Sequence, residues 1–159
     1  VSRTGPWTWH GWQKDFKQTL AHSLRTTMQG PPPSEEDLAA LAEFVGTLEH
    51  SPPATGADEA SRRGEILFKA RGCAVCHKGP DYTHDEVYAV GLESPDDVYP
   101  GFNPPSLRGV ARRGPWLHDG RSRTLEDLLL KQHRPSTLSE KPDFNDAEVR
   151  DLLAFLRTL

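Results

Sequence analysis

Cys73-Ala74-Val75-Cys76-His77 holds both cysteines of a 159-residue chain, and its reading decides the fold. Two thiols three positions apart cannot staple distant parts of a structure, so a disulfide scaffold is excluded. Three chemistries use such a pair. A thioredoxin-like redox pair wants a strand before it and a helix after it, yet here a helical pattern precedes. A zinc site needs a second ligand pair, and none stands at C-x-x-C or H-x₃-H spacing. Covalent c-type haem attachment uses this spacing followed directly by histidine. Two thiols one helical turn apart each add to a vinyl group on one edge of the porphyrin, and His77 then lies under the iron as its fifth ligand.

The flanks agree with the haem reading. Gly64 and Phe68 lie four apart on the helix leading in, so a glycine permits a close helix approach with an aromatic beside it. The terminal helix offers Leu152, Phe155 and Leu156 as partners. Composition fits too. Hydrophobic residues are 35% of the chain, and its 13 Gly raise the apolar share only to slightly below the globular norm. A core that thin implies that something besides side chains fills it. Net charge is −4 with no dense Lys/Arg stripe, which argues against a nucleic-acid binder. No apolar run is long enough for a membrane helix. Val1 to Pro6 lacks the apolar segment of a signal peptide, so a leader was removed or the chain is part of a longer polypeptide.

An internal repeat sets the domain expectation. Arg3-Thr4-Gly5-Pro6-Trp7 recurs as Arg112-Arg113-Gly114-Pro115-Trp116, 109 residues on. Leu38, Leu41, Phe44, Val45 and Leu48 recur 111 residues on as Val149, Leu152, Phe155, Leu156 and Leu159. Copy two carries about 60 residues before its Gly-Pro-Trp, and copy one carries four. Residues 1–50 therefore read as the C-terminal part of a first domain. Residues 51–57 read as a linker, rich in Pro and Gly, and 58–159 as a complete domain. Ser34 caps a helix to about Leu48, Asp58 to Ala70 form another, and Ser122 or Thr124 caps a third. Phe16 to Leu24 is its analogue in copy one. Asn145 or Asp143 caps the last helix, whose apolar positions follow the 3.6-residue period. No stretch alternates with period two. Lys78 to Pro105 lacks periodicity, and so long a loop is usually functional or wrapped around something.

Three further runs carry a family resemblance: Asn103-Pro104-Pro105-Ser106-Leu107-Arg108-Gly109-Val110, then Gly114-Pro115-Trp116-Leu117-His118-Asp119-Gly120-Arg121, then Thr124-Leu125-Glu126-Asp127-Leu128. Together they resemble the second haem domain of the di-haem cytochrome c peroxidase family, well over residues 60–159 and loosely over 1–50. The resemblance implies an all-α, cytochrome c-like domain with long haem-wrapping loops, preceded by a partial second one. In that family two such domains each hold one haem. One haem passes electrons, and the other, with an open or labile sixth position, reacts with peroxide.

The resemblance also suggests site residues. The family's second axial ligand, often Met, lies near the end of the helix after the Thr-Leu-Glu segment. Here that place reads Leu130-Lys131-Gln132-His133, so His133 is the expected sixth ligand. Arg108 is expected on a haem propionate through its paired N–H donors, Trp116 at the haem edge and His118 near the haem. Met28 and His22, in copy one, are lesser candidates that would serve a haem bound upstream. His84 sits in a polar loop, His50 looks solvated, and no role can be read for Tyr82, Tyr88 or Tyr99.

The expectation is one covalent haem c per chain. Two axial imidazoles favour single-electron exchange with a redox protein or a neighbouring haem, at a lower potential than a Met-ligated iron. Peroxide reduction within a di-haem peroxidase or related oxidase is the alternative. Haem c attachment occurs outside the cytoplasm, so a periplasmic or otherwise extracytoplasmic location follows.

Overall fold

The capping chemistry delimits every long helix in the computed structural model, which describes residues 2–159. Ser34 accepts from the Asp37 N–H while the Asp37 carboxylate reaches back to the Ser34 N–H, opening α2 (Glu35–Thr47; α1 is Phe16–His22). Asp58 and Ser61 make the same reciprocal pair at the start of α3 (Glu59–Ala70). Asn145, not Asp143, caps α7 (Asp146–Leu156), with its Oδ1 accepting from Ala147 and Glu148. Asp143 is engaged instead with the Ser136 N–H and Arg134. Thr124, not Ser122, caps α5 (Leu125–Asp127). Between them lie α4 (Cys73–Cys76), a 3₁₀ turn (Val110–Arg112) and α6 (Pro135–Leu138). The described residues form no strand, only three isolated bridges.

The crossing of α3 over α7 is the frame of the molecule. Phe68 of α3 and Val149, Leu152, Phe155 and Leu156 of α7 are buried together with Val110, Leu129, Phe144 and Leu159. Each such side chain contributes about 1.5–3 kcal/mol of transfer free energy. Gly64 lets the two backbones meet: a Cβ there would overlap the Asp151 carbonyl oxygen and come within 2.8 Å of the Phe155 Cβ. Arg63 grips Asp151 with two hydrogen bonds (2.7 and 2.8 Å), and Arg71 reaches Glu148 at 2.5 Å, fixing the crossing at both ends.

The repeated motif has a repeated geometry. Trp7 bridges Gln13, and Trp116 bridges Ser122. Gly11 N–H donates to Thr8 C=O at 3.2 Å, and Gly120 N–H to Leu117 C=O at 3.1 Å. Thr8 and Leu117 share a left-handed backbone, with φ of 73° and 69°. In both copies the following helix widens into a π-turn, Ser23–Thr27 after α1 and Leu128–Gln132 after α5, ending on Met28 and on His133.

Residues 51–55 are held down rather than loose. Arg112 donates to the carbonyls of Pro52 and Pro53, and the Ala54 and Thr55 N–H groups both reach Arg157 C=O. His50, which the sequence leaves solvated, stands half-exposed 3.5 Å from Asp81. The long aperiodic stretch is organised by polar side chains. Asn103 Nδ2 donates to the carbonyls of His84 and Glu86, Tyr88 bridges Phe102, and Leu92, Phe102 and Asn103 are buried.

Candidate functional site

Gly72 starts the site. Its left-handed backbone (φ 85°) turns the chain sharply out of α3 and into the single turn α4. That turn presents Cys73 and Cys76 one helical turn apart, both as free thiols and both half-buried. Burial pushes the Cys73 thiol up to about 11, and it also raises Cys76.

His77 follows directly, with its backbone N–H closing the turn on Cys73 C=O. Its Nδ1 lies 3.0 Å from the Tyr82 carbonyl oxygen. A carbonyl only accepts, so Nδ1 carries the proton and Nε2 presents a lone pair. This is the outer hydrogen bond that fixes a ligating imidazole. Burial holds His77 below the usual imidazole range. A cleft of about 450 Å³ opens beside it, lined by Phe68, Ala74, His77, Tyr82 and Phe155 among others.

His133 comes to the same place from far along the chain. Its backbone N–H closes the π-turn on Leu128 C=O at 2.7 Å, a widening of the helix that recurs at functional positions. The ring centroids of His77 and His133 are 6.4 Å apart and the planes are inclined at 74°. Two metal–nitrogen bonds of about 2 Å, with each nitrogen about 1 Å from its ring centre, give a span of ~6 Å. The Nδ1 of His133 is buried with no hydrogen-bond partner. Burial first, and His77 second, push its imidazole down to about 4, so it is neutral at neutral pH and its lone pair is available.

These residues fit a haem. Two free thiols and an oriented imidazole, with a second imidazole whose ring centroid lies 6.4 Å away, could hold such a group. Among the described residues no set of three or more His, Cys, Asp or Glu is arranged to hold a metal ion by itself. Two histidines alone suit a metal that brings its own equatorial ligands.

The remaining expected residues lie around this centre at different removes. Trp116 packs against the buried core, with its Nε1 donating to Val110 C=O at 3.3 Å. Arg108 stacks over the Tyr82 ring at 5.3 Å and donates to Pro80 C=O, one side chain away from His77. His118 sits in another neighbourhood, against Phe102, Trp9, His10 and Asp97. Met28 is 70% exposed, and His22 packs edge-on against Trp12 at 5.0 Å, so neither joins the pair of His77 and His133. Tyr82 is the residue that sequence reading missed. It orients His77 through its backbone carbonyl, which every residue type carries, so its identity gives no signal.

An all-helical domain in which a C-x-x-C-H turn follows one of two crossing helices defines a haem-binding cytochrome c domain. Residues 61–159 match the family described as Cytochrome c, and the chain belongs to it. The chain is 37% identical over 153 residues to the methylamine utilization protein MauG of Methylorubrum extorquens, covering 76% of this chain and 43% of that protein. It is 30% identical over 134 residues to cytochrome c551 peroxidase of Nitrosomonas europaea, covering 74% and 39%. The chain thus spans less than half the length of these relatives. Among solved structures, a MauG-like protein associated with microbial copper homeostasis has the same fold, with a TM-score of 0.73 at 21% identity over 98% of this chain and 69% of that one. Hydrazine synthase of Kuenenia stuttgartiensis follows, with a TM-score of 0.68 at 20% identity over 98% and 68%.

Proposed function

We propose that this chain is a c-type cytochrome that carries one covalent haem and transfers single electrons to or from a redox partner or a neighbouring haem. Cys73 and Cys76 would tether the macrocycle, and His77 and His133 would hold its iron. The observation that carries the reading is the close imidazole pair, with ring centroids 6.4 Å apart, and the His77 Nδ1–H donated to the Tyr82 carbonyl. The haem supplies an iron that changes charge by one unit. The protein's part is to hold both imidazoles still, so that oxidation and reduction need little rearrangement. Phe68, Tyr82 and Phe155 give the cleft an apolar wall, and Arg108 behind Tyr82 is the propionate partner of this reading, with Trp116 at the haem edge. Attachment of haem c outside the cytoplasm makes the location periplasmic or otherwise extracytoplasmic. No helix among the described residues is long and apolar enough to cross a membrane.

Residues 1–50 are, in this reading, the C-terminal part of another cytochrome c-like domain, 51–57 its connection, and 58–159 the haem-binding unit. The matched Trp7 and Trp116 turns support this, and so does the surface of α2. Phe44 and Leu48 are 60% and 51% exposed, whereas their repeat partners Phe155 and Leu159 are each 5% exposed against α3 and its surroundings. The alternative, a part of a di-haem peroxidase or related oxidase that reduces hydrogen peroxide, draws support from the cytochrome c551 peroxidase relative.

The test is the mass and absorption spectrum of the purified protein. One haem added to the polypeptide mass, with sharp low-spin bands that give way to high-spin features in His133→Ala, is the expected result. A mass equal to the bare polypeptide overturns the reading, and high-spin bands with rapid peroxide turnover in the unmodified protein favour the alternative.

A further inference from the structure

Away from the haem cleft, loop 92–103 is caught between the two repeated Pro-Trp turns. The Phe102 ring lies between His10 of the first turn, at 4.7 Å, and His118 of the second, at 4.8 Å. The Asp97 carboxylate faces both imidazoles, with Oδ1 3.5 Å from His10 Nε2 and Oδ2 2.9 Å from His118 Nε2. All three side chains are only 11–13% exposed. His10 Nδ1 is 2.7 Å from the Gly101 carbonyl, which only accepts, so this nitrogen carries the ring's proton. A neutral His10 therefore turns a lone pair toward a carboxylate. His118 Nε2 is close to Asp97 but out of line for a hydrogen bond. One added proton converts this poorly matched triad into an ion pair held in a low-dielectric pocket.

We propose that His10, Asp97 and His118 form a proton-operated clasp that fastens the first Pro-Trp turn to the second through loop 92–103. The clasp is tight when Asp97 is ionised and the imidazole pair holds one extra proton, and slack when either condition is lost. The surrounding charges are few and nearly balanced. Glu93 accepts from the Gly101 N–H, Asp119 beside His118 is paired with Arg121, and Arg121 also donates to Leu92 C=O; Tyr99 lies 5.8 Å from His10. Ser94 N–H donates to Asp97 Oδ2 at 2.6 Å, and this bond above all holds the carboxyl below its ordinary range.

The two arms have opposite signs. A depressed carboxylate contributes stability that is present above its ordinary range and lost as pH falls through its lowered value. A proton on either imidazole sets a cation against that carboxylate, and its removal leaves a ring nitrogen without a proton facing a negative charge. Attachment of the first turn is therefore bell-shaped in pH. The clasp does not depend on the haem assignment.

Hydrogen exchange of the purified holoprotein tests this, read at the amides of Trp7, Gly11, Gln13 and Asn103 and corrected for intrinsic rates. The Asn103 amide reports docking directly, because it donates to Trp9 C=O. Protection at about pH 6 is expected to exceed that at about pH 8.5 by about fivefold. Asp97→Asn is expected to flatten the profile at the low value, and His10→Gln to remove most of the alkaline loss. Amides of α3 and α7 serve as the control for intact folding. Protection that does not change with pH, or the unmodified pH profile retained in both Asp97→Asn and His10→Gln, overturns the proposal.

Discussion

Replacing Gly64 by Ala adds one methyl group at the tightest point of the α3–α7 crossing. Its Cβ would overlap the Asp151 carbonyl oxygen and stand 2.8 Å from the Phe155 Cβ. Neither neighbour is the free end of a flexible side chain, so the helices must separate along their whole contact. Forced overpacking of this kind costs typically 1–3 kcal/mol, and a backbone obstacle belongs at the upper end. Against that stands the helix propensity of Ala over Gly, a gain of about 1 kcal/mol. The balance is a loss of about 2 kcal/mol. For a domain of this size that corresponds to a fall in melting temperature on the order of 10 °C. Thermal unfolding of the holoprotein, followed at the haem absorbance and in the far-ultraviolet, measures it. An unchanged or higher melting temperature would refute the reasoning, because propensity would then outweigh the crossing.

Four other outcomes follow from the same geometry. Asn145→Ala removes the acceptor for two N–H groups at the start of α7 and should destabilise the protein by about 1 kcal/mol in urea unfolding. Cys76→Ser leaves one thiol for attachment, and denaturing gel electrophoresis with haem staining should show weakened retention. His118→Ala should leave the absorption spectrum of the haem unchanged, since its contacts are with Asp97, Phe102, His10 and Trp9 rather than His77. Tyr82→Phe should leave it unchanged as well, because the side chain's hydroxyl takes no part in the Tyr82 carbonyl's hold on His77.

The attachment motif, the all-helical class and the long helices were legible from local chemistry. Cys73, Cys76 and His77 are neighbours in the chain, and Ser34, Asp58, Thr124 and Asn145 cap helices through bonds that span two or three residues. Such interactions need no distant partner, so the linear order of residues contains them. The choice between Asn145 and Asp143 already lay beyond that order, because it turned on Asp143 being engaged by Ser136 and Arg134.

Only the tertiary structure decided which distant groups meet. His133 lies 56 residues from His77, and the two rings come within 6.4 Å, edge to face, only through the packing of the helices and the π-turn after α5. The family resemblance suggested His118 near the haem, and the turn built on Trp116 sets its ring beside Asp97 and His10, a placement that no local signal carries. Local sequence governs hydrogen bonds that close within a few residues. The placement of an imidazole depends on which surfaces the helices bury, and that is a property of the whole packed chain.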